Sequence, residues 1–258
     1  MLAMLAAGAT GCAVKRFEPP SDTGTAVAGF AESWKAVAAP CLGVRTLTAE
    51  LALSGRVAGE RLRGRIQAGF EAPGRIRLEG VAPFGQPVFI LVGDGTRATL
   101  LLPRDERVVR AGAAAEILEA LAGVRLAPDA LRAVLAGCVM TDSPTGATDH
   151  GDIRRFVFPD GIVYARKRGS AMRIVAASLR PFVIEYPDAF VLGAGMPQRV
   201  RISRLGPGTD NVDLSIGISQ LETNTSLPGA AFTIDVPPGT MPMTIDQLRS
   251  AGPLGARN

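Results

Sequence analysis

The residues able to do covalent or metal chemistry are few and scattered. The chain has a single histidine, His150, with Asp149 and Asp152 beside it. One imidazole and two carboxylates could hold a stray cation, but they lie in a stretch of Thr, Asp, Ser, Pro and Gly (Met140 to Gly151) that reads as a solvated loop. A histidine-based nucleophilic triad would need a Ser on a strand-to-helix elbow, and no Gly-x-Ser-x-Gly occurs. There is no Gly-rich phosphate loop and no Cys-x-x-Cys pair. Gly93-Asp94-Gly95 is followed by alternating residues rather than a helix, so it reads as a hairpin turn. The expectation is a protein that binds, with no catalytic set, no metal and no cofactor.

The three cysteines carry more information. Cys12 follows a short apolar, Ala-rich run (Met1 to Thr10) and sits in Ala9-Thr10-Gly11-Cys12. The run is too short to cross a bilayer as a helix, and small residues directly before a Cys resemble a bacterial lipobox, in which the Cys becomes the lipidated first residue. No Lys or Arg precedes the run, so either the start lies upstream or the signal lacks its basic region. By the lipoprotein sorting rule, Ala13 in place of Asp implies the outer membrane. Residues 1–11 are thus read as a signal peptide, and residues 12–25 as the lipidated Cys with a flexible tether rich in Pro, Ser, Asp and Gly. Cys41 and Cys138 are either two buried thiols or, in an oxidising compartment, a disulfide. The disulfide is the expectation.

Much of the remaining sequence alternates with period two. Leu47, Ala49, Leu51 and Leu53 share one face of a strand through Val57. Arg61 to Phe70 sets Leu62, Gly64, Ile66 and Ala68 against Arg61, Arg63, Arg65 and Gln67. Arg75 to Glu79, Val88 to Val92, Ala98 to Leu102 and Arg107 to Val109 continue the meander, with turns at Ala58-Gly59, Ala72-Pro73-Gly74 and Asp94-Gly95. Later strands are expected at 154–158, 162–166, 172–179, 183–186, 199–203 and 212–221. Helices are expected over Ala26 to Ala38, ended by Pro40, over Ala113 to Ala122, ended by Gly123, and over Pro128 to Leu135. A short edge strand, an extended tail and one helical turn at Ile245–Leu248 complete the chain. The net charge of +4 comes mostly from Arg spread along strands; without a block of like charges, no nucleic-acid partner is expected. Residues 26–258 are read as one β domain.

A curved sheet closed by helices encloses a cavity, and aliphatic lining makes an acyl chain its natural guest. The expected lining is Leu51, Leu53, Ile66, Leu78, Phe89 and Leu91 from the sheet, with Ile117, Leu121 and Leu131 from the helices. The same residues could instead be packed core. One turn is anomalous: in Ala82-Pro83-Phe84-Gly85-Gln86-Pro87 an aromatic stands where a turn is ordinarily polar. Phe84 is either the end of a strand or an exposed loop residue, and the flanking Pro83 and Gly85 favour the loop.

The run RIRLEGVAPFGQPVFIL from Arg75, followed by a hairpin, a strand and the insert AAEILEALAGVRLAPDALRAVLAGC ending at Cys138, resembles the LolB family of outer-membrane lipoprotein receptors, within the LolA/LolB superfamily. The resemblance spans about Ala26 to Ser203. The tail beyond is longer than the family's, and a Phe at the loop position departs from its residue type. The resemblance implies an incomplete antiparallel β-barrel, mainly β, with an α-helical lid over an apolar cavity. It implies a protein that accepts lipoproteins from a LolA-like periplasmic carrier, holds their acyl chains and inserts them into the outer membrane; a monomer is expected. It maps the protruding membrane-insertion loop onto Pro83, Phe84 and Gly85. A lipid or glycolipid carrier of the same fold, and a structural outer-membrane lipoprotein with a filled interior, are the alternative functions.

Overall fold

The computed structural model describes residues 16–81, 87–187, 195–204 and 211–252. The elements in chain order are β1 (Thr25–Ala26), α1 (Phe30–Leu42), β2 (Thr46–Val57), β3 (Glu60–Glu71), β4 (Arg75–Val81), β5 (Ile90–Asp94), β6 (Arg97–Leu102), β7 (Arg107–Ala113), α2 (Ala114–Ala122), α3 (Pro128–Leu135), β8 (Gly146–His150), β9 (Ile153–Phe158), β10 (Gly161–Arg168), β11 (Ala171–Leu179), β12 (Phe182–Glu185), β13 (Arg199–Arg204), β14 (Val212–Thr223), β15 (Met241–Pro242) and α4 (Ile245–Ser250). The strands form one open sheet in the order β1-β8-β9-β10-β11-β12-β13-β14-β2-β3-β4-β5-β6-β7-β15. Every adjacent pair is antiparallel except β7 with β15. This is the expected mainly-β, incomplete barrel with a helical insert.

The alternation read from the sequence sets which face is buried. Ile218, Leu51 and Ile66 stand in one cross-strand row, and Ala49, Ala68, Leu78, Leu91 and Leu100 in the next. Their side chains share the inner face, and the intervening Arg, Ser and Thr positions face out. Register shifts between β10 and β11, β14 and β2, and β6 and β7 mark bulges, which bend and twist an antiparallel sheet. α1 lies over β8 and β11, α3 over β3 and β4, and α2 over β6 and β7 with α4 against it. Trp34 of α1 is buried between Phe156 and Phe158, both edge-on at ring distances of 5.2 and 4.9 Å. Asp129 at the start of α3 accepts the Gly74 N–H at 2.9 Å, and Arg132 donates to the Val44 carbonyl, so α3 is tied to the turns below it.

Three local expectations need correction. Pro40 does not end α1: the helix runs to Leu42 and stops at Gly43. A proline in the last turn removes one backbone bond, and the buried Ala38 and Cys41 on either side hold that turn in place. The polar stretch before Gly151 is not all loop. Residues 146–150 form β8, a strand near the sheet edge whose polar residues face partly outward, which is why composition hid it. His150 is accordingly not solvated. Its side chain is 4% exposed, with Asp22 at Nδ1 and Thr148 Oγ1 at 2.8 Å from Nε2. Finally, the segment read as a tether lies along the body from residue 16. Arg16 pairs with Asp213 at 3.0 Å, and the Phe17 N–H donates to Glu185 at 2.6 Å. The Phe17 ring meets Tyr164 at 5.0 Å, and Thr25–Ala26 adds a strand beside β8. One aromatic and two charged side chains secured a stretch whose average composition reads as unstructured.

At the other edge the C-terminal tail closes the molecule. Its short strand β15 covers β7, Leu248 of α4 is fully buried, and Arg77 holds the Ala231 and Thr233 carbonyls at 3.2 Å.

Candidate functional site

The residues expected to line a cavity do come together. Leu51, Ile66, Leu78, Phe89, Leu91, Ile117 and Leu121 are buried in one hydrophobic cluster, with Leu53 and Leu131 half-buried against it. Leu91 and Ile117 are fully buried, and none of the nine lines the open cleft described next.

That cleft lies between the helices and the β11–β12 side of the sheet. Its walls are Val37, Pro40 and Cys41 at the end of α1, Ala136 and Gly137 just after α3, and Met172, Arg173 and Ile174 of β11. Tyr186, Gly195, Met196 and Pro197 complete it. Its volume is ≈ 130 Å³. Two helix ends meet here because Cys41 and Cys138 are joined in the expected disulfide, with Cα atoms 5.6 Å apart. Gly137 has φ +90°, a backbone that L side chains rarely adopt, and a Cβ there would stand 3.2 Å from the Pro197 ring. Tyr186 is buried and donates its hydroxyl proton to the Val134 carbonyl at 3.0 Å; burial pushes its pKa up, so it remains a neutral donor. Arg173 is the charged residue of the lining. The lining mixes polar and apolar surface, and its two methionines are pliable enough to adjust to an aliphatic group. Sequence reasoning missed this site because its residues come from five separate segments. Only Cys41 and Cys138 signalled that two of them meet.

The second feature is the open end of the β4–β5 hairpin. The Gly80 N–H donates to the Phe89 carbonyl and the Val88 N–H to the Gly80 carbonyl, both at 3.0 Å. A Cβ on Gly80 would fall 2.5 Å from the Phe89 ring, so glycine is what lets that ring turn inward and bury. Beyond this pinned pair, Val81 and Val88 are 42% and 36% exposed. Pro83, Phe84 and Gly85 lie between them and outside the described residues, as does Cys12. Among the described residues there is no group of three or more side chains suited to a metal ion.

No family model matches the chain, and no curated protein matches it. Solved structures do. The fold is similar to that of a LolA superfamily protein from Nitrosomonas europaea, with TM-score 0.54 and 13% identity over 80% of this chain and 99% of the other. A DUF1329 family protein from Desulfovibrio piger matches at TM-score 0.48 and 12% identity, over 80% of this chain and 98% of the other. A domain named for outer membrane lipoprotein sorting, from Vibrio parahaemolyticus, matches at TM-score 0.48 and 13% identity, over 78% and 94%. The first establishes the architecture: the chain has the open, mainly-β fold of a LolA superfamily protein.

Proposed function

We propose that this protein is a LolB-type receptor. It is anchored by lipid on Cys12 at the periplasmic face of the outer membrane, takes lipoproteins from a LolA-like carrier and inserts them into that membrane. It acts without catalysis or cofactor. The observation that carries the reading is the hairpin end: Val81 and Val88 are exposed at the two feet of the segment that holds Phe84. Large apolar side chains grouped at a strand tip are unfavourable in water and favourable at a lipid interface. The cleft beneath the helices supplies an acyl contact. Each methylene buried there contributes about 0.8 kcal/mol. A whole acyl chain needs more room than the cleft offers, so the α1–α3 wall parts from β11 as the guest enters.

The burial of the expected lining residues in one cluster favours a second reading, a structural outer-membrane lipoprotein with no guest. Transfer of an acylated lipoprotein from carrier to vesicles separates the two. The receptor reading expects transfer by the wild type and its loss in Phe84→Glu, with the circular dichroism spectrum unchanged. Equal transfer by the variant would remove the loop from the mechanism, and no transfer by the wild type would leave the structural reading.

A further inference from the structure

The hairpin end has a charged neighbour. Arg61, Arg63 and Arg65 alternate along the outer face of β3, all exposed. In register across β2, Arg61 stands directly opposite Arg56, and across β4 Arg65 stands directly opposite the exposed Val81. Four guanidinium groups thus run along one hairpin face into the apolar tip. Like charges directly opposite in a sheet destabilise it, so the Arg56–Arg61 pair has no evident structural purpose.

Local carboxylates do not neutralise the row. Glu50 reaches only Arg65, at 3.6 Å. Asp213 is in register with Arg56, but its two oxygens are held by Arg201 at 2.8 Å and by Arg16 at 3.0 Å. Arg56 bonds the Gly59 carbonyl, and among the described residues Arg61 and Arg63 have no carboxylate within ion-pair distance. Arginine presents a planar fork that binds phosphate oxygens in pairs, and a row of them beside exposed valines complements a surface that is anionic and apolar within the same few ångströms.

We propose that the outer face of the β2–β3 hairpin, Arg56, Arg61, Arg63 and Arg65, docks on the anionic headgroups of a lipid bilayer, beside the exposed Val81 and Val88. The inference rests on the receptor reading for its place at a membrane and names its own partner. An acidic protein surface offers carboxylates but not the apolar layer that Val81 and Val88 face, so the bilayer is the occupant that fits both features.

The test uses the full chain with Cys12→Ser, so that no lipid anchor contributes. Co-sedimentation compares vesicles of phosphatidylcholine alone with vesicles in which about a third of the lipid is phosphatidylglycerol. Binding is expected only to the second, weakening as salt rises, and falling about 100-fold in the triple variant Arg61→Gln, Arg63→Gln, Arg65→Gln. The double variant Arg56→Gln, Arg61→Gln, which relieves a repulsion, is expected to fold at least as stably as the parent and still bind about 20-fold more weakly. Binding that ignores lipid charge, an unchanged affinity in both variants, or capture of an acidic protein without vesicle binding would overturn the proposal. Failure of the receptor reading is read elsewhere, in the transfer assay, as no transfer by the wild type.

Discussion

Asp213 ties three segments together. Arg201 of β13 hydrogen-bonds both of its oxygens, and Arg16 adds the N-terminal strap to the same carboxylate. The Arg201 bonds hold its carboxyl below the usual value, with Arg16 adding to the effect. A carboxylate with a depressed folded pKa stabilises the fold at every pH above its unfolded value of about 3.9, and that contribution is lost as pH falls through the folded value. Asp213→Asn should therefore lower the urea midpoint at pH 7, and the gap to wild type should be smaller at an acid pH below the unfolded value. A gap of equal size at both would show that the contacts are geometric rather than ionic. The same scale shows what composition conceals. His150 and Phe17 have polar neighbours in sequence, which suggest solvated or unstructured positions, but each is fixed by a partner more than 100 positions away, Asp22 for His150 and both Tyr164 and Glu185 for Phe17.

The helix ends and hairpins carry the next level. The disulfide closes a loop of 97 residues between α1 and the segment after α3, a constraint worth about 4–5 kcal/mol in the chain-entropy account. Cys41→Ser with Cys138→Ser should lower the unfolding free energy by about that amount, measured by urea titration. It should also let the two helix ends move independently, and so change how readily the cleft opens. A double variant as stable as the oxidised wild type would contradict this. Most elements were legible. β2, β3 and β4 follow from strict alternation, the end of α2 from Gly123 in the left-handed region, and α3 from Pro128 at its first turn. What was not legible depended on pairing. β8 is a strand because β9 and β1 flank it, and α1 outlasts Pro40 because Cys41 is bonded across the fold. The cleft belongs to this class, since residues such as Met172 and Met196 carry no periodic signal of their shared role.

At the scale of the whole molecule, an open sheet of this order has two edges to protect and one concave face to cover. The N-terminal strap covers one edge with β1, the C-terminal tail covers the other with β15, and α1, α2 and α3 cover the concave face. The aliphatic residues expected as cavity lining are buried together in the interior, and the open cleft lies apart from them under the helix ends. The central claim is that this place receives the acyl chain of a lipoprotein. The direct measurement is photocrosslinking from a photoreactive residue at Met172, in the otherwise native chain, to an acylated lipoprotein and to its unacylated form. The account predicts a crosslink with the acylated form alone, competed away by excess lipid-modified peptide. Equal crosslinking of both forms, or none to either, would contradict it.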